Sequence, residues 1–300
     1  MEEITPEIYL EGKPILGAAW FHKLQLYGSG DLLPKISSDG TKLLYTGSPS
    51  LGNRGLWVMD IATQSKTLIT TDGFNADWAP DGQSIYFNGY DLQIYEAKLD
   101  GSELLQLTSG EGQNLFPACS PDGNHIIYAN TYFKDGGIYI INTKGTYKKK
   151  ILSNLTYYPA WMPDQKSFFL ANGNTYDTLG QVVKELNFKL KYGPGNASVS
   201  PTDSRIVISA SSGIYVVNPD GSGLKRILPN HLYNPSHQGP VKLWAQNASW
   251  HPDGKHIIYE HLAFTRTKQT DSYGLFVEGT MAFYKVNVDS AIMVSNLQLY

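Results

Sequence analysis

A chain of 300 residues with 41% apolar and 17% charged residues has a globular composition and is long enough to bury an extensive core. Its formal charge of −3 and its densest basic run, Lys148-Lys149-Lys150, give no electrostatic footprint for nucleic acid. One cysteine excludes a disulfide framework and a cysteine-based zinc site, and no apolar run reaches membrane-spanning length.

The acidic start, Met1-Glu2-Glu3, lacks the basic-then-apolar order of a signal peptide, so a cytoplasmic location follows if Met1 is the natural first residue. Residues 1–33 carry two strand-like runs, Glu7-Ile8-Tyr9-Leu10 and Lys23-Leu24-Gln25-Leu26-Tyr27. They are expected to pair with the end of the chain and remove an exposed edge.

From residue 34 a turn signature recurs. It reads Ser37-Ser38-Asp39-Gly40, Ala79-Pro80-Asp81-Gly82, Ser120-Pro121-Asp122-Gly123, Met162-Pro163-Asp164-Gln165, Ser200-Pro201-Thr202-Asp203 and His251-Pro252-Asp253-Gly254. The third positions are 42, 41, 42, 38 and 51 residues apart, a period that signals an array of similar units. Pro presets the first central φ of a type I turn, Asp suits the next position, and Gly closes it. In the second unit this turn joins Phe74–Ala79 to Ser84-Ile85-Tyr86-Phe87, and further β-rich runs follow at 93–97 and 104–107. Each unit therefore reads as a four-stranded antiparallel meander, which buries its faces only by stacking on copies of itself around an axis. The expected fold is all-β, a six-bladed β-propeller over residues 34–300. Blades fall near 34–71, 72–110, 111–154, 155–193, 194–230 and 231–300. A seventh, composite blade built from both termini is the alternative count.

Equivalent positions act as an internal control. Three residues before each turn Asp stand Ile36, Trp78, Cys119, Trp161, Val199 and Trp250, an apolar column that marks Cys119 as core and not as a reactive thiol. The second strands, such as Ile126-Ile127-Tyr128 and Ile257-Ile258-Tyr259, are continuous apolar runs covered on both faces. The turn carboxylates Asp39, Asp81, Asp122, Asp164 and Asp253 are explained by turn chemistry and not by acid–base catalysis. His125, His256 and Arg205 share a solvent-facing column, and His251 sits at a turn.

The units disagree in the last blade. Residues 229–246 are inserted before its first strand, and a second loop-like extension follows from His261 to Gly279. Both emerge on the face opposite the turn carboxylates, and long loops on a rigid scaffold are where binding residues concentrate. The candidate ligand surface is His231, Tyr233, His237, Trp244, His261, Arg266 and Tyr273, with Gln238, Lys268 and Asp271 beside them. Arg54, Tyr132, Phe133 and Lys134 lie on other links of that face. Aromatic rings there would stack on sugars or peptide side chains, and Arg would pair with carboxylates. His231, His237 and His261 are metal-capable, but their spacing matches no compact motif, so a metal site is left open.

The run Phe74-Asn75-Ala76-Asp77-Trp78-Ala79-Pro80-Asp81-Gly82, and Gln246-Asn247-Ala248-Ser249-Trp250-His251-Pro252-Asp253-Gly254 in register with it, resemble the WD-like repeat of the TolB family. The resemblance covers residues 34 to about 260. It implies a six-bladed propeller that binds proteins, and an extracytoplasmic location. Gln165, Thr202 and Ser38 depart from the motif in single repeats. Thirty-three leading residues cannot hold the α/β domain that precedes the propeller in TolB. Prolyl-oligopeptidase-like peptidases carry similar repeats, but the Gly-x-Ser-x-Gly elbow they require is missing. Oligogalacturonate lyases are similar propellers with a histidine-rich manganese site. The expectation is a noncatalytic, monomeric binding module that needs no cofactor and engages a protein, peptide or glycan through its loop-rich face or the mouth of its central channel. The alternative is a carbohydrate-active lyase with a His-bound metal.

Overall fold

The computed structural model describes residues 19–25, 33–47, 55–63, 65–131, 135–153, 158–188, 190, 194–210, 212–229, 243–270 and 274–289. Among the described residues one strand, β1 (Ala19–Gln25), precedes the repeats. The first repeat holds β2 (Lys35–Ile36), β3 (Lys42–Gly47), β4 (Gly55–Asp60) and β5 (Lys66–Thr70). The second holds β6 (Phe74–Trp78), β7 (Ser84–Asn88), β8 (Ile94–Lys98) and β9 (Leu105–Gln106). The third holds β10 (Asn114–Cys119), β11 (His125–Asn130), β12 (Gly137–Asn142) and β13 (Lys148–Leu152). The fourth holds β14 (Ala160–Trp161), β15 (Ser167–Leu170), β16 (Asn174–Asp177) and β17 (Val182–Glu185). The fifth holds β18 (Pro194–Val199), β19 (Ile206–Ala210), β20 (Gly213–Val217) and β21 (Lys225–Pro229).

Each of these five repeats is one antiparallel sheet with its strands paired in chain order. The last repeat differs. Its strands β22 (Leu243–Trp250), β23 (His256–Thr270) and β24 (Gly274–Asn287) form a sheet in the order β1-β24-β23-β22. Six blades made of consecutive strands were expected, and five are built that way. The remaining four-stranded sheet is composite, because its outer member comes from before the repeats, with Ala19 opposite Met281 and Gln25 opposite Phe276.

The second extension is also corrected. It was read as a loop, yet β23 and β24 stay paired along it, from His256 opposite Asn287 to Thr270 opposite Gly274. Second strands elsewhere end at Gly47, Asn88, Asn130, Leu170 and Ala210, so the hairpin runs about ten residues further, or about 30 Å of strand. A register shift between Phe264 and Arg266 marks a bulge along it.

Cores lie between sheets and not within them. Leu44 and Val58 of the first blade meet Trp78, Ile85 and Phe87 of the second. Tyr86 and Ile94 meet Ile126, Tyr128 and Ile141 of the third. Ile127 and Ile140 then meet Trp161, Phe168 and Leu170 of the fourth, and Phe169 and Leu186 meet Ile206, Ile208 and Val217 of the fifth. Val207, Ile214 and Leu228 meet Trp250, Ile257 and Tyr259 of the composite sheet, and its Ile258 packs back on Ile36, Leu43, Tyr45 and Met59 of the first blade. Each large apolar side chain buried this way contributes about 1.5–3 kcal/mol.

The recurrent turn has the expected geometry. Gly40, Gly82, Gly123 and Gly254 donate their N–H to Ser37, Ala79, Ser120 and His251 carbonyls at 2.8–3.0 Å. They hold φ of 76°, 67°, 72° and 64°. The fourth repeat places Gln165 there at φ 61°, a left-handed conformation that a Cβ makes costly. Gln165→Gly should therefore stabilise the protein by about 0.5–1 kcal/mol, read as a higher urea midpoint with an unchanged slope.

Each turn carboxylate accepts from the backbone two residues on. Asp39 takes the Thr41 N–H at 3.0 Å, Asp81 the Gln83 N–H at 2.9 Å, and Asp122 the Asn124 N–H at 3.0 Å. The Ser37 hydroxyl foremost, then the backbone and hydroxyl of Thr41, lower the Asp39 pKa to about 2. The Ser120 hydroxyl foremost lowers that of Asp122. A folded-state pKa below the unfolded value stabilises above the unfolded pKa and loses that stabilisation as pH falls through the folded one. Melting temperature should accordingly drop between about pH 4 and pH 2, and Ser37→Ala should start that drop at higher pH.

Candidate binding site

The predicted surface on the last repeat is only partly within the described residues. His231, Tyr233, His237, Gln238, Asp271 and Tyr273 lie outside them, as do Arg54, Tyr132, Phe133 and Lys134. Trp244 stands on β22 opposite Leu262, one position from His261, and His261 lies opposite both Ala245 and Ala282. Arg266, beyond the bulge, is paired with Glu278, and Lys268 with Phe276. The backbone thus brings Trp244 and His261 to adjacent rungs at the base of the hairpin and carries Arg266 further out. Among the described residues no group of three His, Cys, Asp or Glu is placed to hold a metal ion.

A second concavity lies on the axis. The first strands of all the sheets surround a cavity of ≈ 660 Å³ that reaches the turns through Ser38, Pro80, Pro121, Pro201 and Pro252. Sequence reasoning named the mouth of the central channel but none of the residues of its wall. Its wall is the column four residues before each turn Asp: Lys35, Asp77, Ala118, Ala160, Ser198 and Ser249. The polar members of this column bridge neighbouring sheets. Lys35 Nζ lies 2.8 Å from Asp77 Oδ1, and the other carboxylate oxygen of Asp77 accepts the Cys119 N–H at 2.9 Å. Ser198 Oγ accepts the Trp250 N–H at 3.2 Å, and Ser249 Oγ donates to the Pro34 carbonyl at 2.6 Å. Behind the column, the indole N–H of Trp78 donates to the Lys35 carbonyl at 3.0 Å and that of Trp161 to the Ala118 carbonyl at 2.9 Å. Cys119 has Trp78 and Trp161 as its column mates, and burial foremost, then the Asp77 carboxylate, pushes its thiol pKa far up.

A repeated bulge shapes this wall. Leu33, Asn75, Phe116, Tyr158 and Asn247, each six residues before a turn position, hold positive φ between 39° and 59°. Strand pairing slips there, between Phe74 and Asp77, Leu115 and Ala118, and Gln246 and Ser249. Side chains at the ends of the second strands cap the exposed amides of the next sheet: Asn88 Oδ1 accepts the Phe116 N–H at 3.0 Å, and Ser209 Oγ the Ala248 N–H at 2.9 Å. Glu260, 2% exposed, occupies the same position in the composite sheet and accepts from Asn247 Nδ2 at 2.9 Å.

The solvent-facing reading of Arg205 is corrected. Its guanidinium is in contact with Asp203 at 2.7 Å, Asp289 at 2.8 Å and the Gly254 carbonyl at 3.0 Å, and it lies over the Trp250 ring at 5.1 Å. It ties the fifth blade to the β22–β23 turn and to the residues after β24. His251 and His256, each placed as bland, share the Asp253 carboxylate at 2.9 and 2.7 Å.

The fold and this axial wall define a β-propeller of four-stranded antiparallel blades, with first strands inside and their turns on one face. The chain resembles TolB proteins. It is 31% identical over 116 residues to a TolB homolog of Chlorobium luteolum, a match spanning 37% of this chain and 26% of that protein. An uncharacterized protein of Agrobacterium fabrum is 26% identical over 133 residues, 43% of this chain and 45% of that one. The chain thus matches between a quarter and a half of the length of these relatives. No family model matches it. Among solved structures, TolB of Acinetobacter baumannii superposes with a TM-score of 0.56 at 18% identity, over 82% of this chain and 65% of that one. An oligogalacturonate lyase of Vibrio parahaemolyticus gives 0.50 at 11% identity, over 90% and 92%. At these identities the structural likenesses carry the fold alone.

Asp77 tests the axial wall. Asp77→Ala strips the partner from both Lys35 and the Cys119 N–H and should cost about 2 kcal/mol. Asp77→Asn keeps the acceptor for Cys119 and should cost less than about 1 kcal/mol, both read from urea denaturation.

Proposed function

We propose that the chain is a noncatalytic binding module, a six-bladed ring that holds a protein or peptide partner on the face bearing the long hairpin. The observation that carries this reading is the hairpin of β23 and β24, which runs far past the strand length used by the other blades. The TolB-like resemblance supports a protein or peptide as the partner. Ring closure by residues 1–33 is supported by the pairing of β1 with β24 and by the seam at Ser249 and Pro34. The partner surface is His231, Tyr233, His237, Trp244, His261, Arg266 and Tyr273, where aromatic anchors and one arginine supply the residue types that dominate interface energetics.

The carbohydrate-lyase reading has fold likeness behind it and no specific observation. Stoichiometric manganese or calcium in the purified protein, with chelator-sensitive cleavage of polygalacturonate, would replace the binding reading by that one. For the binding reading, the immobilised chain is used to capture partners from the organism that encodes it, identified by crosslinking mass spectrometry. Tyr233→Ala combined with Trp244→Ala should weaken capture of the identified partner at least about tenfold with melting temperature unchanged. Undiminished capture by the double variant would move the partner off this face.

A further inference from the structure

The outer strands of the blades form the rim of the ring, and that rim is not uniform. Six of the seven large apolar side chains that stand exposed among the described residues lie on it in three consecutive blades: Leu104 and Leu105 in the second, Tyr147 in the third, and Leu179, Val182 and Val183 in the fourth. The outer strands of the first and fifth blades carry none of them. A shift of register explains the fourth blade. Counted from Gly55, Gly137 and Gly213, pairing to the outer strand slips after the second residue, and the extra residue, Ile69, Ile151 or Ile227, is wholly or partly buried. Counted from Gly173, the slip comes one rung later, between Thr175 and Tyr176, and the extra residue, Val183, stands 58% exposed. Two close approaches join the three outer strands into one surface. A Cβ on Gly145, in the turn before β13, would lie 3.2 Å from the Leu107 carbonyl oxygen beside β9, and one on Gly180, in the turn before β17, 2.5 Å from that of Ile151 on β13.

At the centre of this surface β13 presents Lys148, Lys149 and Lys150. Lys150 is paired with Asp135 at 2.7 Å. Lys148 lies over the Tyr139 ring at 4.9 Å, and among the described residues neither it nor Lys149 meets a carboxylate at ion-pair distance. Uncompensated cations with exposed apolar side chains to either side suit a segment that alternates apolar groups with carboxylates. A second copy docked by the same patch would set lysine against lysine. An anionic bilayer fits poorly, since Glu103 and Glu185, exposed on the flanking blades, would be pressed against it. We propose that the rim of the second to fourth blades is a docking surface for an acidic, apolar segment of a partner protein, laid along β13 with its carboxylates on Lys148 and Lys149. Its apolar side chains rest on Leu105 and Tyr147 to one side and on Leu179 and Val183 to the other. This surface faces outward from the ring, apart from the hairpin, so it goes beyond the binding reading and stands or falls separately from it.

In ¹⁵N–¹H correlation spectra of the full chain, a capped peptide of alternating leucine and glutamate should shift the backbone amides of Leu105, Tyr147, Lys149, Leu179 and Val183 and leave those of β23 and β24 in place. Lys148→Glu combined with Lys149→Glu should weaken that binding at least about tenfold and admit a leucine–lysine peptide that the unaltered protein ignores. Such a reversal separates recognition from mere guarding of an exposed strand edge, where loss of the lysines would only make the protein self-associate. Leu179→Ser combined with Val183→Ser should weaken the acidic peptide by about fivefold or more at unchanged melting temperature, because both side chains already face water. Tyr233→Ala combined with Trp244→Ala, which tests the hairpin face, should leave this binding as it is. The inference is overturned by the absence of shifts at millimolar peptide or by binding indifferent to the charge reversal. It is equally overturned if phosphatidylglycerol vesicles move the same amides, which would give the rim to a membrane, or if they move with protein concentration alone, which would give it to a second copy.

Discussion

The Ser249 hydroxyl donates to the carbonyl of Pro34 across 215 residues of chain, and beside it Ile258 packs on Ile36, Leu43, Tyr45 and Met59. A blade in an open row leaves one apolar face without a neighbour, so the last sheet must meet the first or expose part of the core. Everything else in the molecule is compatible with that contact. The apolar column three residues before each turn fills the wedge between blades, and the polar column one residue earlier links them where they crowd the axis. Arg205 holds the composite sheet to the fifth blade from the other side.

This division of labour gives many reactive-looking groups a structural role. The turn carboxylates are occupied by backbone amides, Cys119 is sunk between two tryptophan positions, and the Lys35–Asp77 pair neutralises itself inside the channel. A rigid scaffold is free to vary in the links it carries. The long β23–β24 hairpin is such a variation.

The repeat, the meander and the role of the turn carboxylates were legible because turn chemistry is local: Pro, Asp and Gly act within four residues. The bulges were not, since Leu33, Phe116 and Tyr158 adopt positive φ with side chains that give no sign of it. The hairpin was misread because Thr265, Arg266, Thr267 and Lys268 look polar, although alternating β-branched residues were the signal for a strand. Arg205 was misjudged because its partners Asp289 and Gly254 come from the next sheet, which no column comparison exposes. The axial column escaped notice for a related reason. Lys35, Asp77, Ala118, Ala160, Ser198 and Ser249 share no residue type, only a position.

Hydrogen exchange in native buffer tests the closed ring most directly, because an unclosed ring leaves the facing sides of its first and last sheets uncovered where a closed one packs them together. The account predicts that backbone amides of β2 and β22 exchange as slowly as those of β6 and β10 at interior blade interfaces, and that Ser249→Ala accelerates only the seam. Rapid exchange of β2 and β22 in the unaltered protein, at rates typical of exposed edges, would contradict it.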